Sequence, residues 1–208
     1  MAIYTSIADV KAETGDTDFV ASTEYDATIL TMIENASRLI DLEVGGWPNY
    51  FAPTTDGETR YFDGSGEEEQ PIDPLVTLTS VHVAESGGRA VTDYTAWTEN
   101  TDFYTWPYNF TAVAQPIRKL IVDNDSGSKG RFPRFRKAVK VIGIFGYSAS
   151  TPEAIEQACK IQSVRWFQRA KQMYQDASSN VATGQLLYAQ TLDPDVKRLL
   201  QSYKIWSL

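Results

Sequence analysis

The stretch "KGRFPRFRKAVK" gathers Lys129, Arg131, Arg134, Arg136, Lys137 and Lys140 around Phe132 and Phe135, with no acid between them. Cations at this density follow a phosphate backbone and interleaved rings stack on bases, so the pattern suits nucleic acid. It suits an acidic face of a neighbouring subunit equally, and a net charge of −8 argues against a free DNA-binding protein. A second acid-free stretch, Gln157 to Gln175, sets Arg165 and Arg169 one helical turn apart on one face. It reads either as a solvated face or as a contact with the acidic part of another subunit.

The acids of "GEEEQPIDP" (Glu67, Glu68, Glu69 and Asp73) cluster without the regular spacing of a calcium loop and read as a solvated turn. His82 is the one histidine and sits in the alternating run "TLTSVHVAE", where a strand residue facing solvent is expected rather than a catalytic base. Cys159 is the one cysteine, which excludes an intramolecular disulfide and a cysteine-rich zinc site. Its place on an apolar helical stripe predicts a small buried side chain. Gly64 and Gly66 open a dinucleotide-like fingerprint that no third glycine completes, and neither a phosphate-binding loop nor a nucleophile elbow is present. The residues therefore make no case for an enzyme, a metal site or a cofactor.

The elements that must position these residues follow from patterning. The chain has 208 residues, 42% hydrophobic and 22% charged, which is one globular domain's worth of material. No apolar run is long enough to span a bilayer, and no basic residue precedes Lys11, so neither a membrane span nor a secretory leader is expected. Two N-terminal helices are predicted within residues 6–44. Ser6 and Asp9 have capping-box spacing, as do Thr23 and Asp26, and Gly45 stops the second helix. Residues 58–147 alternate in short, aromatic-rich strands separated by turns. A long helix is predicted over residues 150–176, opened by Pro152, followed by a polar connector at 177–191. Asp193-Pro194 then starts a short last helix. The expected fold is α+β: a small helical bundle with a β-rich insertion, in a single domain over residues 1–208. Charge is divided along the chain. Residues 1–110 hold 4 Lys+Arg against 20 Asp+Glu, and residues 111–208 hold 15 against 7. Such a split suits subunits that meet acidic region to basic region.

In this order, "ILTMIENASRLID", "TRYFDGSG", "VTLTSVHV", "DYTAW", "RFPRFRKAVKVIGIFGYSASTPEAIEQACKIQSVRWFQR" and "LDPDVKRLL" resemble the head–tail connector (adaptor, or head-completion) proteins of tailed double-stranded DNA bacteriophages. The resemblance spans nearly the whole chain. It implies a non-enzymatic virion protein at the head–tail interface, made in the host bacterial cytoplasm. Such proteins form a ring, usually dodecameric, under the portal; the ring extends the DNA channel and docks the next neck or tail component. Its implied partners are the portal, a stopper or tail-completion protein, and genomic duplex DNA in passage. A stopper or tail-completion protein one ring lower, or a DNA-binding packaging accessory, are the alternative readings.

The connector "DASSNVATGQLLYAQ" and the ending "KIWSL" depart from shorter members of that family. Val196, Leu199, Leu200 and Tyr203 share one face of the last helix, and Ile205, Trp206 and Leu208 extend beyond it. Burying such side chains contributes ~1.5–3 kcal/mol each, and repetition around a ring multiplies a modest contact into avidity. The tail is therefore expected to dock on the portal, against the alternative that its helix packs on its own bundle. Glu67, Glu68 and Glu69 are expected to face the channel, where negative charge keeps DNA from sticking.

Overall fold

The computed structural model describes residues 2–15, 17–53, 56–84, 93–125, 129–171, 177–180, 185–188 and 192–205. The chain divides into two compact units: Met1–Phe51 with Thr151–Leu208, and Ala52–Ser150. The architecture is mixed α+β, with helices at both ends of the sequence and a six-stranded antiparallel sheet inserted between them.

The first unit holds α1 (Ile7–Ala12), α2 (Thr17–Ala21), α3 (Asp26–Val44), α4 (Glu153–Lys171) and α5 (Pro194–Leu200), the last continued by a 3-10 turn at Gln201–Tyr203. The capping box of α1 forms as spaced, with the Ser6 hydroxyl accepting from the Asp9 N–H and the Asp9 carboxylate accepting from the Ser6 N–H. The Thr23–Asp26 spacing does not cap α3. Its N-cap is Tyr25 without a side-chain bond, and Asp26 pairs instead with the buried Lys11 ammonium. Gly45 ends α3 at φ 79°, a left-handed conformation that costs a glycine little. The short α2 was not foreseen in the sequence.

The i, i+3, i+4 stripe of α3 lies inward: Ile29, Ile33, Ala36 and Ile40 are fully buried, as are Ile155, Ala158 and Cys159 of α4. α3 packs on α4, and α4 packs on α5. Burial pushes the Cys159 thiol up from its usual range, in keeping with a structural side chain. Gln162 and Ser163 of α4 are also buried. Gln162 accepts a bond from the Asp193 N–H at 3.2 Å, which ties the start of α5 to α4. Strands β7 (Ala177–Asn180) and β8 (Gln185–Tyr188) form an antiparallel two-stranded ribbon in the stretch expected to be a plain connector.

The second unit holds β1 (Glu58–Phe62), β2 (Glu69–Ala84), β3 (Tyr94–Trp97), β4 (Phe103–Trp106), β5 (Ile117–Val122) and β6 (Val139–Phe145). Sheet order is β1-β6-β2-β5-β4, with β3 also pairing β2. The sequence shows β2 as an alternating run only from Val76; the strand begins seven residues earlier, at Glu69. Pro71 and Pro74 hide that first part, because proline removes a ladder donor and marks bulges. The register shifts between Pro71 and Leu75, and again between Leu75 and Thr77 and between Leu78 and Ser80. The bent strand thereby pairs β5 along its first part and β6 along the rest. His82 sits on β2 half-buried, its Nε2 3.1 Å from the Ser80 hydroxyl.

Candidate assembly surfaces

The basic segment is a coil held in a fixed shape. Phe132 is fully buried and stacks on Trp97 at 5.0 Å between ring centroids. The Phe132 N–H donates to Glu67 O and the Gly64 N–H donates to Phe135 O, each at 2.9 Å. Lys137, at φ 53°, donates its N–H to Asp63 Oδ1 at 2.9 Å, and Tyr94 donates its hydroxyl to Lys137 O. Between these anchors Arg131, Arg134, Arg136 and Lys137 stay exposed. The Lys129 ammonium lies 5.8 Å from the Trp97 ring, Lys137 is 5.7 Å from Tyr61, and Lys140 is 5.8 Å from Tyr94. Contacts of this kind are worth roughly 0.5–1 kcal/mol at exposed sites. Tyr61 and Tyr94, 6.2 Å apart, complete a cation–aromatic face that the sequence did not single out, because both come from other strands.

The backbone bonds between residues 64–67 and 132–135 have a second effect. They set the Glu67–Glu68–Glu69 turn directly beside the basic segment, although the two are about sixty residues apart in sequence. Glu67 and Glu68 are exposed, and Glu69 pairs with Lys119 at 2.8 Å. The surface there carries both signs of charge side by side. A mixed-charge face suits protein contact better than the grip of a phosphate backbone.

The last helix turns one of its faces inward. Val196 and Leu200 are fully buried in the first unit, so they hold α5 to its own bundle rather than offering it to a partner. The outward face of α5 carries Lys197 and Arg198. Leu199 and Tyr203 are half-exposed, and the Tyr203 ring meets Phe51 edge-on at 5.6 Å. The Ile205 N–H donates to Val44 O at 2.8 Å, which fixes the chain at the end of α3. Trp206 and Leu208 lie outside the described residues. The chemical reason for the inward packing is the helix stripe itself: positions 196 and 200 are one turn apart and meet the apolar faces already assembled by α3 and α4.

Arg165 is engaged within its own unit. It makes an ion pair with Asp193 at 2.8 Å, the residue whose carboxylate also accepts the Asp195 N–H and caps α5. Lys160 pairs with Glu156 at 3.6 Å. The Lys171 ammonium lies over three rings, 4.9 Å from Phe19, 5.4 Å from Tyr25 and 4.8 Å from Phe167. The acid-free stretch of α4 therefore directs its cations into its own unit, with Arg169 half-buried among them. Asp193→Ala removes the cap of α5 and the partner of Arg165 together. A loss of about 1–2 kcal/mol is expected, read as a lower urea midpoint with an unchanged slope.

Among the described residues no group of three or more His, Cys, Asp or Glu side chains is placed to hold a metal ion. No protein-family model matches the chain, and no curated protein matches it in sequence. Its fold does match solved structures. One is a chain in the neck of an empty GTA particle computed with C6 symmetry: TM-score 0.50, 15% identity, covering 90% of this chain and 82% of that one. Another is a chain in the neck of a native GTA particle computed with C12 symmetry: TM-score 0.50, 14% identity, covering 100% of this chain and 94% of that one. A third, in the virion of a native gene transfer agent (GTA) particle, has a TM-score of 0.48 at 16% identity over 91% of this chain and 82% of that one. At these identities the likeness is one of fold.

Proposed function

We propose that this protein is a structural subunit of the neck of a phage-like particle, an adaptor that forms a ring beneath the portal, extends the DNA channel and joins head to tail. The observation that carries the reading is the likeness of fold, over 90% and 100% of this chain, to chains in necks of GTA particles. The sequence resemblance to bacteriophage head–tail connectors points the same way by an independent route. The ring is taken as dodecameric, with the portal above it and a stopper or tail-completion protein below. Exposed Glu67 and Glu68 repel passing phosphates if they face the channel, while Arg131, Arg134, Arg136 and Lys137 meet an acidic protein face.

Portal docking falls to the extreme tail, Ile205, Trp206 and Leu208, with the half-exposed Leu199 and Tyr203 at its base. Because Val196 and Leu200 are core residues, cutting the chain before α5 would unfold its own bundle and test nothing. A chain ending at Ile205 is the informative variant. It is expected to melt within a few degrees of the full chain, yet to fail to co-sediment with portal-bearing heads. Retained co-sedimentation would remove the tail from the docking role.

The reading as a whole is tested by counting this protein in purified particles with quantitative mass spectrometry. About one ring's worth per particle supports a neck subunit. Hundreds of copies would make it a shell or tail-tube protein. Absence from particles, together with steeply salt-dependent binding of free duplex DNA, would support the packaging alternative.

A further inference from the structure

Arg131, Arg134 and Arg136 are exposed, and none of the three makes an ion pair with a described residue. Their backbone is nevertheless fixed. The Phe132 ring stacks on Trp97, and the Phe132 and Lys137 N–H groups donate to Glu67 O and Asp63 Oδ1. Guanidinium forks on a fixed backbone lose little freedom on meeting carboxylates, which they can bond through two N–H groups at once. Lys137 is exposed beside them, and with half-buried Lys129 and Lys140 the face stays positive despite Glu67 and Glu68.

The chain itself carries a surface of the opposite sign. Residues 1–51 hold nine Asp and Glu against Lys11 and Arg38 alone. Both of those cations are engaged inside their own unit. Lys11, 4% exposed, pairs with Asp26 and donates to Ser22 O, which ties the end of α1 to the approach of α3. Arg38 pairs with Asp41 and donates to Ala2 O. Glu13 closes α1, Asp18 lies on α2 and Glu24 precedes α3, and all three are exposed. Glu13 and Glu24 make no ion pair with a described residue. The Lys171 ammonium of α4 lies over the Phe19 and Tyr25 rings, one positive charge against these three acids. Val20, 44% exposed, adds an apolar side chain to the same short helix as Asp18.

We propose that the basic segment of one copy, Arg131, Arg134, Arg136 and Lys137, docks on the Glu13–Asp18–Glu24 end of a second copy. The acidic protein face assigned to this segment above is then another copy of the chain, and the contact rests on that part of the reading. Charge complementarity carries it: one sequence holds both an arginine-rich face without carboxylate partners and an acidic stretch whose own cations are buried or paired. The contact joins different surfaces of the two copies. A heterologous contact of this type propagates head to tail and closes as a ring when the rotation allows. Closure rests on the neck reading; the pairwise contact does not.

The test uses the full chain and two charge-reversed variants. One carries Arg131→Glu, Arg134→Glu and Arg136→Glu; the other carries Glu13→Lys, Asp18→Lys and Glu24→Lys. All six side chains are exposed, and melting checks that each variant folds. The parent is expected to self-associate in low salt and to weaken as salt rises. Each variant alone is expected to associate roughly tenfold or more weakly by sedimentation. An equal mixture of the two is expected to recover the association, because the reversed segment of the first meets the reversed end of the second. Three reversals of two charges each, starting from −8, leave both variants negative, so general attraction does not produce the recovery. A parent that stays monomeric at about 1 mM in low salt, variants that associate like the parent, or a mixture without recovery would each overturn the contact.

A carbodiimide, which joins an ammonium to a carboxylate touching it, reads the same contact in the parent alone, mixed from light and isotopically heavy chains. Light–heavy links from Lys137 to Glu13, Asp18 or Glu24 are the expected result. Links to Glu67 or Glu68 of the other chain instead, or no links between chains, would overturn the proposal. Copy number in particles is a separate readout, so the neck reading and this contact can fail independently.

Discussion

Gly64→Ala is expected to destabilise the sheet unit by about 3 kcal/mol or more, the upper end of what overpacking costs, and to disorganise the basic segment with it. A Cβ at position 64 would stand 1.7 Å from Pro133 O and 2.8 Å from the Ala138 Cβ. Neither neighbour is the loose end of a flexible side chain. Pro133 O is backbone, and Ala138 is fully buried next to the first residue of β6. The Gly64 N–H is also one of the bonds that hold residues 132–135 against the acidic turn. A loss of this size should lower the melting temperature by roughly 6–12 °C in a chain of this length. Exposed Arg131, Arg134 and Arg136 should at the same time become more susceptible to trypsin. A variant that melts like the parent with unchanged cleavage would show that the close approach of the two segments is not what shapes this face. Gly143→Ala, whose Cβ would fall 2.3 Å from Thr77 O across the β2–β6 ladder, provides a control for the sheet alone.

Asp41→Asn is expected to cost about 1–3 kcal/mol, because an amide cannot serve every polar partner that the buried carboxyl serves. Asp41 is 2% exposed on α3 and pairs with Arg38 at 2.7 Å. It also accepts from the Tyr4 hydroxyl and, at 3.1 Å, from the Asn49 N–H. Tyr4 in turn accepts from the Phe51 N–H at 3.2 Å, so one carboxylate organises the N-terminus, α3 and the loop after it. Burial raises the Asp41 carboxyl above its ordinary value and outweighs the opposing hydrogen bonds and the Arg38 charge. The folded state then binds the proton more tightly than the unfolded chain. This group's contribution is complete below the unfolded value near 3.9 and declines as pH rises through the raised folded value. The Asn variant has no such titration. Its deficit relative to the parent should therefore be largest at acid pH and shrink toward neutrality, measured by urea unfolding at a series of pH values. A deficit that grows with pH would reverse the assignment.

Much of the architecture was legible in the sequence because its signals are local. The α3 stripe, the Ser6–Asp9 box, the Gly45 stop and the Asp193-Pro194 start are set by residues within a turn or two of one another, and each appears where the pattern placed it. The strand β6 and the buried Cys159 follow from period and composition in the same way. The Thr23–Asp26 spacing misled because Asp26 found a stronger electrostatic partner in Lys11, a residue far outside the local window. The start of β2 was hidden because two prolines broke the alternation that marks a strand, while the sheet absorbed them as bulges. Arg165 looked like a surface cation because nothing near it in sequence is acidic; its partner, Asp193, arrives from 28 residues away.

By itself, then, the sequence determined the class of fold, the order of its elements, the unequal division of charge and the resemblance to head–tail connectors. All of these but the resemblance are properties of composition and of short-range period. Only the tertiary structure decided which surfaces are exposed. It placed Val196 and Leu200 inside the bundle and set the acidic turn against the basic segment. It also left Trp106, Tyr108 and Val113 exposed. A side chain's period says which neighbours share its face. Whether that face is covered depends on long-range packing, where burial of apolar area is won by whichever surfaces the chain brings together first and best.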